Sequence, residues 1–121
     1  MTQEDKELLF KDLCARWPYG VKVNNEIQGD FVIYGVCEDY IFARTPTSHV
    51  DFQIEKIKPY LFPISSMTEE QEKEYNKLNC YELGCFPHTE EALDYLIKNH
   101  FDYRYLIDRG LAIDATNLNI Y

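Results

Sequence analysis

The fold class predicted is α+β: an N-terminal helix, a four-stranded antiparallel sheet or small SH3-like barrel, and a helical C-terminal half. Three observations lead there. Apolar residues recur at helical spacing up to Trp17; the hydrophobic period then switches to two between about residues 19 and 57; and two segments opened by threonine return to helical spacing between about 68 and 110. The chain of 121 residues fits a single domain, 1–121. By surface scaling it buries about two thirds of the area its unfolded chain exposes, so a core needs neither disulfides nor metal.

The first helix is expected to start at Thr2 as N-cap, with Asp5 as a short-armed capping partner. Leu9, Phe10, Leu13, Cys14 and Trp17 form its apolar face, and Glu7, Lys11, Asp12 and Arg16 fall largely on the other side. Pro18 disfavours helical geometry at Trp17 and stops the element. Val21 and Val23 then alternate with polar neighbours, and Asn24-Asn25 and Gly29-Asp30 are turn chemistry. The run FVIYGVC at 31–37 is apolar on both alternating faces, which predicts a central strand covered on both sides. Residues 40–44 make the next strand and TPTSH (45–49) a polar loop. Val50, Phe52 and Ile54 alternate with Asp51, Gln53 and Glu55 in a strand with one wet face.

KPYLFP (58–63), bracketed by prolines, is expected to be irregular. Thr68 with Gln71 is a capping box opening a charged helix whose inner face is Tyr75 and Leu78, with Gly84 as a stop. Thr89 caps the next helix, whose Glu90 and Glu91 suit the helix dipole and whose stripe is Leu93, Leu96, Ile97, His100 and Phe101. A short helix from about Tyr103 to Gly110 completes the helical half, followed by a tail that ends NLNIY.

Charge and compartment narrow the function classes. The chain carries 12 Lys+Arg against 21 Asp+Glu, net −9. Such a balance opposes broad binding to nucleic-acid backbone or anionic membrane. Residues 1–63 hold 10 acids and 7 bases and residues 64–121 hold 11 and 5, so the sheet half is only −3 and has room for an anion site. The charged start is no secretory signal, and no apolar run approaches a membrane span. The expected location is cytoplasmic, with Cys14, Cys37, Cys80 and Cys85 reduced.

Three segments, DLCARWPYGVKV (12–23), KPYLFPISSMTEEQ (58–71) and NHFDYRYLIDRGLAIDA (99–115), resemble small cytoplasmic proteins of Bacteroides-like bacteria and their phages and prophages. That resemblance implies a context, not a chemistry. Accessory proteins of mobile elements act commonly by binding, including by countering host defence, and no residue receives a role from it.

Candidate chemistry is sparse. Cys80-x4-Cys85-x2-His88 is a loose metal spacing, and His100 lies about three helical turns, roughly 18 Å, beyond His88. A Cys/His nucleophile pair, for instance Cys85 with His88 or His100 oriented by Asp102, is the next option, and no local signature accompanies it. The five glycines are dispersed, so no phosphate loop is present and no cofactor is implied. No residue is assigned a catalytic role. The expected site is instead a ligand- or partner-binding one made of Tyr19, Arg44, His49, Tyr60, Tyr103 and Arg104. Arginine supplies anion contacts, and ten tyrosines supply amphipathic contact area. Expected partners are a host protein or a small anionic ligand such as a nucleotide. A second copy of the chain packing on KPYLFP and the tail is also expected. A small cysteine- or metal-dependent enzyme and a structural assembly subunit are the alternatives.

Overall fold

The computed structural model of the chain describes residues 1–38, 40–80 and 86–121. Helix α1 (Gln3–Arg16) starts where Thr2 accepts a hydrogen bond from the Asp5 N–H at 3.1 Å. It gives way to a 3₁₀ turn, Trp17–Tyr19, that contains Pro18. Strands β1 (Lys22–Asn25), β2 (Gly29–Cys37), β3 (Tyr40–Arg44) and β4 (His49–Gln53) form an antiparallel meander. A 3₁₀ turn, Ile54–Lys56, leads into β5 (Lys58–Pro63), which returns antiparallel beside β1.

The sheet is larger than the four strands expected. The two-residue strands β6 (Phe101–Asp102) and β7 (Ile113–Asp114) both pair parallel with β5, giving seven strands in a mixed sheet. KPYLFP is therefore the seam of the molecule and not an irregular segment. Its two prolines stand at the second and last positions, so the N–H groups of Tyr60, Leu61 and Phe62 remain available between them. Phe62 donates to the His100 carbonyl and Ala115 donates to the Leu61 carbonyl, both at 2.8 Å. Pro59, Tyr60 and Leu61 are buried, while Lys58 is exposed and Phe62 and Pro63 are half-buried.

The C-terminal half is less helical than expected. Helices α2 (Glu69–Leu78) and α3 (Glu90–Lys98) are present with the predicted caps, Thr68–Gln71 as a reciprocal box and Thr89 on the Ala92 N–H. The stretch 103–110 is a series of turns. Tyr105 has φ 60°, and the Asp102 carboxylate accepts from the Leu106 and Ile107 N–H groups at 2.9 Å each. Those bonds close a compact turn and insert Leu106 into the core. Gly84, the expected stop of α2, lies outside the described residues.

Two clusters form the interior. The larger joins Leu9 and Leu13 of α1 to Val21, Val23, Phe31, Ile33, Ile41, Phe52 and Leu61. The smaller packs Tyr75, Ala92 and Leu96 on Phe101. Helix α1 covers one face of the meander and leaves the other outward. Residues 31, 33, 41, 43 and 52 are buried, whereas Val32 and Phe42 are half-buried and Tyr34, Arg44 and His49 are exposed. Strand β2 is thus central in order but covered on one face only, a correction to the two-faced reading of FVIYGVC. Among the described residues, no helix is long and apolar enough to cross a membrane.

Candidate functional site

The outward face of the meander carries a cross-strand row. Register places Lys22 opposite Val32, Val32 opposite Arg44, and Arg44 opposite His49. At about 4.8 Å between strands, Lys22 and Arg44 stand about 10 Å apart with Val32 between them, and His49 lies one strand beyond Arg44. One pleat repeat along β2 from Val32, on the same face, is Asp30, paired with Asn24.

Two shallow cavities share this row. One of about 350 Å³ is lined by Lys22, Asp30, Val32, Arg44, Pro46 and Ile120, among others. Its neighbour of about 370 Å³ is lined by Val32, Arg44, Thr45, Pro46 and His49. The TPTSH loop that walls both is a tight turn. The Thr45 hydroxyl accepts from the Ser48 N–H at 3.1 Å, and the Thr45 N–H donates to the Ser48 carbonyl at 2.9 Å.

Arg44 makes no ion pair among the described residues; its guanidinium lies 5.6 Å from the centre of the Tyr34 ring. His49 meets the same ring edge-on at 5.5 Å. An arginine without a carboxylate, in a chain with nine more acids than bases, is an available anion contact. Lys22 is partly engaged, its ammonium donating to the Ile120 carbonyl at 2.6 Å. Asp30 accepts from the Tyr60 hydroxyl at 2.6 Å and from the Asn24 amide at 2.9 Å, both on Oδ1. Burial, reinforced by Asp30, pushes the Tyr60 hydroxyl up to about 12, so it stays a donor.

The six residues expected to form one site separate. Arg44 and His49 come together on the outward face, joined by Lys22 and Tyr34. Tyr60 shares that face, opposite Lys22 by the register that pairs Val23 with Pro59, but it is buried there and its hydroxyl donates to Asp30. Tyr19 is exposed on the 3₁₀ turn and joins neither group. Tyr103 and Arg104 belong to an interior charge cluster. Arg16 Nε donates to Asp12 Oδ2 at 2.7 Å, Arg16 Nη2 donates to the Phe101 carbonyl at 2.5 Å, and Arg104 Nε stands 3.3 Å from Asp12 Oδ1. The Tyr103 ring lies 4.7 Å from the Arg104 guanidinium and 5.7 Å from that of Arg16. Arg104 is therefore committed to Asp12, and this cluster joins α1 to the C-terminal turns.

The expected inner face of α1 keeps Leu9, Leu13 and the half-buried Phe10 but is rotated to take in Asp12 and Arg16. Both are fully buried, while Cys14 and Trp17, placed on the inner face by spacing, are exposed. Burial pushes the Asp12 carboxyl up, and Arg16 and Arg104 pull it down.

The cysteine and histidine constellations all include Cys85 and so extend outside the described residues. Cys85 lies outside them, Cys80 is an exposed free thiol, and the His88 N–H donates to the Asn79 side chain. His100 stacks on Tyr121 with ring centres 4.0 Å apart. Among the described residues, no group of three His, Cys, Asp or Glu is placed to hold a metal ion. Asp30 and Val32 were legible as site residues only through register, because period-two parity puts them outward once β1 and β3 are fixed as their neighbours. No protein-family model, curated protein or solved structure matches this chain.

Proposed function

We propose that this is a non-enzymatic binding protein that holds a small anionic ligand on the outward face of its sheet. The row Lys22–Val32–Arg44–His49, with Arg44 free of any carboxylate among the described residues, carries this reading. Two cations flanking an apolar floor in a cavity of about 350 Å³ suit a ligand of nucleotide size. The meander, 3₁₀ turn and return strand support a finer description of this half as an SH3-like barrel. The resemblance of three segments to proteins of Bacteroides-like bacteria and their phages supports placing the activity among mobile-element accessory proteins. Such a protein sequesters a signalling ligand or acts on a host component.

Calorimetric titration with a panel of linear and cyclic nucleotides tests the proposal. At least one binds the wild-type chain, and Arg44→Ala removes that binding while leaving the melting temperature in place. Raising the salt from 50 to 500 mM weakens it, because exposed charge contacts are screened. No binding across the panel, or binding indifferent to Arg44→Ala, sinks it.

A second reading, a protein partner, is favoured by a different feature. Phe86 and Tyr105, 62% and 63% exposed, stand with Pro63, Ile64, Pro87 and Tyr103 around a groove of about 220 Å³. Loss of a captured host protein on Tyr105→Ser, but not on Arg44→Ala, would favour it.

A further inference from the structure

Within the cavity between Lys22 and Arg44, one acidic side chain faces the two cations. Asp30 lies about 7 Å along β2 from Val32 on the same face, and it lines the same cavity. Its Oδ1 already accepts from Tyr60 and Asn24, and both of those hydrogen bonds hold the carboxylate in place. Oδ2 has no hydrogen-bond partner among the described residues. A carboxylate in an anion site is a cost to any ligand that is only an anion, because like charges repel across a shallow, partly desolvated space. The same carboxylate is an asset to a ligand that brings hydroxyl donors beside its charge, since a hydrogen bond to an ionised acceptor is among the stronger ones. Pro46 and Val32 supply the apolar surface between these polar contacts.

We propose that the outward-face site selects phosphorylated sugars and nucleoside monophosphates, with Arg44 and Lys22 on the phosphate and Asp30 Oδ2 on a sugar hydroxyl, and rejects polyanions that lack donors. This inference rests on the anion-binding reading above. Asp30 acts here as the specificity residue, and its placement by Tyr60 links selection to the buried strand β5.

The test uses three probes on the full chain: adenosine 5′-monophosphate, its 2′,3′-dideoxy analogue and inorganic tripolyphosphate. Adenosine monophosphate binds most tightly, and loss of both sugar hydroxyls weakens it about 10-fold, the scale of one charge-assisted hydrogen bond. Asp30→Asn keeps an acceptor oxygen for Tyr60, removes the charge, abolishes most of the difference between the two nucleotides and strengthens tripolyphosphate binding. The comparison of nucleotides on the wild-type chain needs no variant, so it stands even where Asp30→Asn is poorly folded. Equal affinity for the two nucleotides, or tripolyphosphate binding the wild type as tightly as adenosine monophosphate, overturns the selection by Asp30 and leaves the anion site standing. Absence of binding by all three probes overturns both.

Discussion

Asp12 and Arg16 lie one turn apart on α1, fully buried, and hydrogen-bonded to each other at 2.7 Å. A buried ion pair is costly to assemble and more costly to break, because removing one partner strands the other charge away from water. Asp12→Ala is expected to destabilise the chain by about 3–5 kcal/mol in urea unfolding, and the double change Asp12→Leu with Arg16→Met to recover only part of that loss, because Arg104 and the Phe101 carbonyl still lose their partners. His100 makes a second prediction at this scale. Burial, with Arg16 and Lys22 nearby, lowers its imidazole to about 4, against 6.5 when unconstrained. The folded form thus binds fewer protons than the unfolded form between those values, so stability is intact above pH 6.5 and falls as pH drops toward 4. The loss reaches about 3 kcal/mol. Denaturation at pH 7 and pH 4.5 should show a larger acid penalty in the wild type than in His100→Asn, whose side chain tolerates the φ of 63° found there. An equal penalty in both would refute the assignment.

Among the elements, the β1–β2 hairpin and strand β5 decide where the site forms. The turn is built around Asn25, whose Oδ1 accepts from the Ile27 and Gln28 N–H groups while its amide donates to the Lys56 carbonyl at 2.9 Å. One side chain thereby ties the hairpin to the 3₁₀ turn before β5. Asn25→Ala removes all three bonds from a residue that is 9% exposed, an expected cost of about 2–3 kcal/mol in thermal or urea unfolding. Its effect on ligand binding should be larger than that of a cap change such as Thr68→Ala, since the cap serves α2 alone. In β2, the register shifts between Ile33 and Gly35, and a Cβ at Gly35 would meet the Phe42 ring at 3.2 Å. On the same stretch the Tyr34 and Phe42 ring centres lie 6.2 Å apart, and Tyr34 is the ring that meets Arg44.

For the molecule as a whole, the C-terminal segment is a tie and not a free tail. The Tyr121 hydroxyl accepts from the Lys22 N–H and donates to the Tyr60 carbonyl, both at 2.8 Å, so it bridges β1 and β5. The ring stacks on His100, and Asn119 and Ile120 wall the cavity beside Lys22. Tyr121→Phe should cost about 1 kcal/mol of stability by loss of those bonds. It should also weaken ligand binding at Lys22 more than at His49, which calorimetry on the combined variants Tyr121→Phe with Lys22→Ala or His49→Ala would resolve.

Local chemistry was legible from the chain alone. Thr2, Thr68 and Thr89 cap helices because a side-chain oxygen three residues ahead of an unpaired N–H satisfies it wherever the chain goes next. The period-two strands and their turns were legible for the same reason. Contacts distant in sequence were not. The inward turn of Asp12 and Arg16 depends on the Phe101 carbonyl and Arg104, roughly 90 residues away, which give buried charges the partners that spacing cannot announce. KPYLFP became an inner strand because β1, β6 and β7 all pair with it, a tertiary choice that overrides its prolines. The composition showed room for an anion site in the less acidic half. Only register brought Lys22, Asp30, Arg44 and His49 from four strands onto one outward face, the placement on which the anion-binding proposal rests.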